Sequence, residues 1–228
     1  MIKKVFPPVH PEGYGFAFLF FVATVILWHI SVYLGFLGLV LTVWCLCFFR
    51  NPERVTPDDE NLIICPADGV VQQITTVAPP AVMEMGDEPC MRISIFMNVF
   101  NVHINRSPVS GILTKIFYHP GKFLNASLDK ASEHNERQSF VVKTKTGMKV
   151  GFVQIAGLIA RRIRCDVKEG DTLLAGERFG LIRFGSRVDV YLPKTITPLV
   201  IEGQITVAGE TILADIKRKE KTYKGVVR

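Results

Sequence analysis

Met91-Arg92-Ile93-Ser94-Ile95-Phe96 alternates apolar and polar side chains residue by residue as far as Ile95. Successive side chains of a strand point to opposite faces, so the pattern predicts a half-buried β-strand; a helix would repeat its apolar positions every three or four residues. Gly69-Val70-Val71-Gln72-Gln73-Ile74 upstream, and residues 138–144 and 150–155 downstream, are further short β-branched runs between turn residues. Strands at such close spacing predict a mainly β domain with minor α over residues 62–228, a small sandwich or a partly closed barrel. Residues 123–134 depart from the pattern and read as a short helix or ordered loop, with Asn125 and Ser127 able to cap it. Residues 51–61, polar and holding Pro52 and Pro57, read as a linker.

The N-terminal part differs in kind. Residues 14–49 contain no Asp, Glu, Lys or Arg across 36 positions. Crossing a bilayer core takes about 20 residues, and as one helix the run would measure ~54 Å. A break near residues 31–35, with the interfacial His29 beside it, divides it into two arms. Lys3 and Lys4 precede the run and Arg50 and Arg54 follow it. Positive charge on both flanks favours two cytoplasmic ends, hence a helical hairpin over residues 1–50. The run is far too long for a signal peptide, and Asn51-Pro52-Glu53-Arg54 is no small-residue cleavage site. The expectation is a permanent anchor in the cell (inner) membrane, with the β domain on its cytoplasmic side.

A chain of 228 residues that is 48% hydrophobic can bury a full core. Its net charge of +6 is moderate, but residues 211–228 carry six Lys or Arg against Asp215 and Glu220. Beside a membrane segment such a tail suits anionic lipid headgroups rather than nucleic acid. The five cysteines (Cys45, Cys47, Cys65, Cys90, Cys165) form no CxxC pair and no disulfide framework, which fits a reducing compartment. No histidine pair has metal-ligand spacing, so no metal is expected.

Val167-Lys168-Glu169-Gly170-Asp171-Thr172-Leu173-Leu174-Ala175-Gly176-Glu177-Arg178-Phe179-Gly180-Leu181-Ile182 reads as short strands with glycines 170, 176 and 180 in tight turns between them. The stretch resembles the barrel-sandwich motif of biotinyl and lipoyl carriers, membrane-fusion adaptors and some metallopeptidases. That likeness speaks to fold and not to activity.

Three residues carry candidate chemistry. Gly185-Ser186 lies between the strand-like Leu181-Ile182-Arg183-Phe184 and Val188-Asp189-Val190-Tyr191-Leu192, and the serine hydroxyl lies one residue past a carbonyl it can attack. Val188, not glycine, stands two residues after Ser186, so this is not a hydrolase nucleophile elbow. Asp68 sits in an Asp-Gly turn, and His103 lies between Val102 and Ile104, where a lone histidine is ordinarily a core residue. Asp, His and Ser together suit an orienter, a base and a nucleophile. His119, in a turn-like His119-Pro120-Gly121, and His134 are weaker candidates.

In this order, Pro66-Ala67-Asp68-Gly69, Asn101-Val102-His103-Ile104-Asn105-Arg106-Ser107-Pro108, Tyr118-His119-Pro120-Gly121-Lys122, Asn135-Glu136-Arg137 and Phe184-Gly185-Ser186-Arg187 resemble the motifs of phosphatidylserine decarboxylase proenzymes of the short bacterial and archaeal branch. The resemblance covers essentially the whole chain, anchor included. It implies that Asp68, His103 and Ser186 form a self-cleavage triad. Cleavage between Gly185 and Ser186 would give chains 1–185 and 186–228 that stay associated. It further implies that Ser186 becomes a pyruvoyl cofactor, which takes the amine of membrane phosphatidylserine as a Schiff base and releases carbon dioxide and phosphatidylethanolamine in phospholipid biosynthesis. Homo-oligomerisation stays open, as does a diacyl or ether-linked lipid. Two departures stand out. Asn98 and Phe100 occupy positions where the longer branch has an aspartate and a histidine, and Arg187 takes the place of its threonine. The rival readings are a membrane-anchored barrel-sandwich adaptor or carrier without catalysis, and a pyruvoyl decarboxylase of a soluble amino acid.

Overall fold

The computed structural model describes residues 7–121, 135–157, 162–183 and 186–218. It divides into two compact units: Met1–Glu53 with Val99–Val102, and Arg54–Asn98 with His103–Arg228. The stretch 122–134, expected to be a helix or ordered loop, lies outside the described residues, as do Gly185, His134 and the end of the basic tail.

The first unit is the helical hairpin. Helix α1 (Pro11–Ile30) starts on Pro11 at its first turn, with the His10 ring accepting the Glu12 amide. It ends at Ser31, whose extended backbone (φ −160°, ψ 137°) breaks the run before α2 (Val32–Phe48). Helix α1, at 20 residues, is long and apolar enough to cross a membrane, whereas α2 has 17. The seam between them is small and polar. Thr24 and Thr42 hydroxyls meet at 3.0 Å, and a Cβ on Gly38 would lie 2.8 Å from Thr24 Oγ1. Small residues and hydroxyls are what pack helices where surrounding lipid removes the hydrophobic incentive. Phe18, Ile30 and Tyr33 face outward. Below the helices, His10 donates to the Phe49 carbonyl and Asn51 to that of Pro8, both at 2.7 Å, so the hairpin's two ends lie side by side.

The second unit is mainly β, with thirteen strands among the described residues. They are β1 (Leu62–Ile64), β2 (Gly69–Val77), β3 (Cys90–Met97), β4 (Ile104–Arg106), β5 (Gly111–His119), β6 (Arg137–Lys143), β7 (Lys149–Ala156), β8 (Ile163–Cys165), β9 (Thr172–Leu173), β10 (Arg178–Ile182), β11 (Ser186–Pro193), β12 (Ile205–Thr206) and β13 (Ile212–Asp215). An eight-stranded antiparallel sheet runs β12-β2-β3-β11-β7-β6-β5-β9, beside a three-stranded sheet β4-β10-β8 and the pair β1-β13.

One face of the large sheet forms the main core. Ile93, Ile95 and Met97 of β3, Val188 and Val190 of β11, Phe152 of β7 and Phe140 of β6 pack there with Phe179 of β10. The rings of Phe140, Phe152 and Phe179 lie with centroids 4.9–5.1 Å apart, joining the two sheets. Phe152→Ala should therefore destabilise the fold by about 3–5 kcal/mol, read as a large drop in thermal unfolding temperature; an unchanged midpoint would deny these rings their role.

The opposite face, expected to be solvated, is buried too. Met83, Cys90, Val141, Val153, Ile155 and Tyr191 form a second cluster with Val82 and Met85 from the connection between β2 and β3. Arg92 and Ser94 are therefore buried. The alternation in β3 separates two interiors rather than an inside from an outside. Two local expectations also change. Gly180 lies inside β10, not in a turn, and a Cβ there would sit 2.1 Å from the Arg164 carbonyl oxygen. His119 ends strand β5.

Candidate active site

Ser186 is the first residue of β11, paired on one side with Met97 of β3 and on the other with Ala156 of β7. Alternation puts its side chain on the face of Val188 and Val190, towards the main core. It is fully buried, and its hydroxyl has no hydrogen-bond partner among the described residues. Leaving such a group unpaired costs about 1–3 kcal/mol, a strain that tends to mark functional positions.

His103 is buried immediately before β4. Its carbonyl accepts the Ile182 amide at 3.2 Å, continuing the Ile104–Leu181 pairing of β4 with β10. The histidine is thus tied to the end of the strand that leads, four residues later, into Ser186. The strands that hold the described parts of the two runs flanking Gly185-Ser186 in the sequence, β10 and β11, belong to different sheets.

Asp68 lies in the bend before β2. Arg54 Nη2 grips both carboxylate oxygens, at 2.8 and 3.0 Å, and the Ala208 amide donates to Oδ1 at 2.8 Å. Arg54 had been read only as a flanking membrane charge; here it holds a site carboxylate. Gly69 is required next to it, because a Cβ would meet the Phe96 carbonyl oxygen at 2.2 Å. That close approach sets Asp68 beside the end of β3, one residue before Met97, the partner of Ser186. The Pro66 carbonyl also takes the Arg106 amide at 2.9 Å, linking this bend to the strand that follows His103. Backbone contacts thus link the bend that holds Asp68 to the end of β3, next to the partner of Ser186, and to the strand that follows His103. Cys65, also buried there, has its thiol pushed up to about 12 by desolvation and is no competing nucleophile at neutral pH.

Several buried polar residues around these three were legible only as motif letters. Gln154 donates to Asn105 Oδ1 at 2.8 Å, and Asn135 donates to the Ala156 carbonyl at 2.7 Å. Arg187 is on the opposite face from Ser186, in a buried ion pair with Asp189 (Nε–Oδ1 2.9 Å, Nη2–Oδ2 3.0 Å).

The comparisons with known proteins identify the family. The family described as Phosphatidylserine decarboxylase matches residues 41–214. A protein of Paramagnetospirillum magneticum named phosphatidylserine decarboxylase proenzyme is 54% identical over 228 residues, all of this chain and 95% of its own length. Proteins of the same name from Cereibacter sphaeroides (53% identical; 100% of this chain, 98% of the relative) and Nitrobacter winogradskyi (55% identical; 96% and 89%) are similarly close. The match runs through the hairpin as well as the β domain, and the chain belongs to the phosphatidylserine decarboxylase family.

Proposed function

We propose that the chain is a proenzyme that cuts itself between Gly185 and Ser186 and then converts phosphatidylserine to phosphatidylethanolamine and carbon dioxide. The observation that carries this reading is the buried, unbonded Ser186 hydroxyl at the first residue of a central strand. His103 takes the proton of Ser186 Oγ, and Asp68, itself fixed by Arg54 and the Ala208 amide, keeps the imidazole oriented. The oxygen attacks the Gly185 carbonyl carbon, replacing the amide bond by an ester. Elimination releases the Gly185 carboxylate, and hydrolysis of the resulting dehydroalanine expels ammonia.

The residues around position 186 fit the pyruvoyl group this would leave. Ala156 and Met97, its neighbours on either side, offer no nucleophile to consume a ketone. Once formed, that group supplies a carbonyl for the substrate amine and an electron sink for the bond to the departing carboxylate. The chain 186–228 stays attached to 1–185 because β11 is hydrogen-bonded on both sides within the large sheet.

The hairpin keeps the β domain at the membrane on the cytoplasmic side, where a diacyl substrate need not leave the bilayer. Intact mass is the direct test: a purified chain that remains at full length removes the self-processing reading. Deleting residues 1–50 separates the two tasks. The shortened protein is expected to self-cleave normally, since Asp68, His103 and Ser186 all lie in the other unit. It should turn over vesicle-bound phosphatidylserine roughly 10²-fold more slowly, the scale of gain that tethering gives. Equal rates on vesicles would refute a presenting role for the hairpin.

A further inference from the structure

The motifs Tyr118-His119-Pro120-Gly121 and Asn135-Glu136-Arg137 have no part in the cleavage chemistry, yet the fold clamps them together beside Ser186. A Cβ on Gly121 would lie 2.3 Å from the Asn135 carbonyl carbon and 2.5 Å from the Glu136 nitrogen, so only glycine allows this crossing. Tyr118 Oη donates to Glu136 Oε1 at 3.2 Å, and the Ile163 amide donates to the same oxygen at 3.2 Å. The Glu136 carbonyl accepts the Ala156 amide at 2.9 Å. Glu136 thus extends β6 alongside Ala156, as Ser186 does from β11 on the other side.

The result is a row across four neighbouring strands: Glu136, Ala156, Ser186, Met97. Side-chain alternation puts Glu136 on the face of Phe140, and Ser186 on the face of Val188, both members of the main core. With strands about 4.8 Å apart, the Glu136 and Ser186 Cα atoms are ~10 Å apart, with Ala156 between them in the row. Glu136 is 4% exposed. Among the described residues no cation lies in ion-pair contact with it. Tyr118 is half exposed and reaches this carboxylate from the solvent side. Burial first, and then the Glu136 charge, push the Tyr118 hydroxyl upward, while Arg162 acts in the opposite sense. The hydroxyl therefore stays a donor at neutral pH and keeps Glu136 in place.

A buried carboxylate without a fixed counter-ion, one small residue away from the reactive position, is the complement of a primary ammonium group. We propose that Glu136 receives the ammonium group of the substrate beside position 186, with Tyr118 as its positioning residue. Transfer of one N–H proton from the ammonium to the Glu136 carboxylate leaves a neutral amine, whose freed lone pair can attack the carbonyl at position 186, and a protonated Glu136. The inference rests on the reading that Ser186 becomes the reactive carbonyl.

The test uses two full-length chains. On the Ser186→Ala chain, which never acquires a carbonyl, dihexanoyl phosphatidylethanolamine and dihexanoyl phosphatidylglycerol are titrated by calorimetry with and without Glu136→Gln. The amine lipid should lose about tenfold in affinity, the scale of one charge-assisted hydrogen bond, while the glycerol lipid is unaffected. On the otherwise native chain, Glu136→Gln should still cleave and should raise KM for short-chain phosphatidylserine by a similar factor, with kcat reduced less. Tyr118→Phe should give a smaller change in the same direction. Equal effects on both lipids, binding of neither, an unchanged KM or a failure of Glu136→Gln to cleave each overturn the assignment. Cleavage of the Ser186→Ala chain would instead remove the underlying reading of Ser186, leaving the lipid contrast to report on Glu136 alone.

Discussion

Ser186→Ala is expected to leave a single uncut chain of 228 residues, folded and without decarboxylase activity, where the proposed cleavage would yield pieces of 185 and 43. Two features make this outcome informative. The hydroxyl is buried without a partner among the described residues, so removing it deletes an unsatisfied polar atom rather than a contact. Stability should hold, or rise by about 1 kcal/mol. The backbone of residue 186, paired with Met97 and Ala156, is untouched. Loss of cleavage in a chain with an undiminished unfolding temperature then reports on chemistry and not on folding. Ser186→Cys and Ser186→Thr each keep a nucleophile and should cleave slowly. Complete processing of the alanine variant, seen as two bands and two masses, would sink the assignment of the bond.

The second large effect concerns the base and its orienter. His103→Ala should abolish cleavage, because no other group is assigned to accept the Ser186 proton. Asp68→Asn should slow it by roughly 10²–10⁴-fold, the range seen when an orienting carboxylate loses its charge while keeping its shape. The asparagine can still accept the Ala208 amide but cannot neutralise Arg54, whose side chain is only 16% exposed. Part of any defect could therefore be structural, and Arg54→Met provides the control. If Asp68 acts only by pairing with Arg54, the two variants will cleave at the same reduced rate. If Asp68 orients His103, Asp68→Asn will be much the slower, at matched unfolding temperatures. Normal processing by both His103→Ala and Asp68→Asn would discard the triad whatever Ser186 does.

The hairpin and the β class were both readable from local pattern. A run without charges from Tyr14 to Phe49 has no other stable home than lipid or a core, and the strands at 90–97 and 149–156 lie within a residue or two of their alternating segments. Alternation reports only that two faces differ, however. It could not say that the β2–β3 connection holding Met83 buries the second face of β3, and with it Arg92 and Ser94. Gly180 reads as a turn residue because glycine's tolerance of unusual dihedrals and its tolerance of a close backbone neighbour look alike in a sequence.

The chemistry available is legible in the order of residues alone: a Gly-Ser bond, an aspartate, a histidine and a length of apolar chain sufficient to cross a membrane. Motif order ties these to one family. Which side chains share a face depends on how distant strands pair. Glu136 and Ser186 are 50 positions apart, and Arg54 and Asp68 14 apart with no helix between them. Neither pair is related by any local period. Strand register sets the first pair, because a slip of one residue would turn Glu136 away from Ser186. The second depends on the Gly69 approach to Phe96, a contact between distant segments that no local pattern encodes.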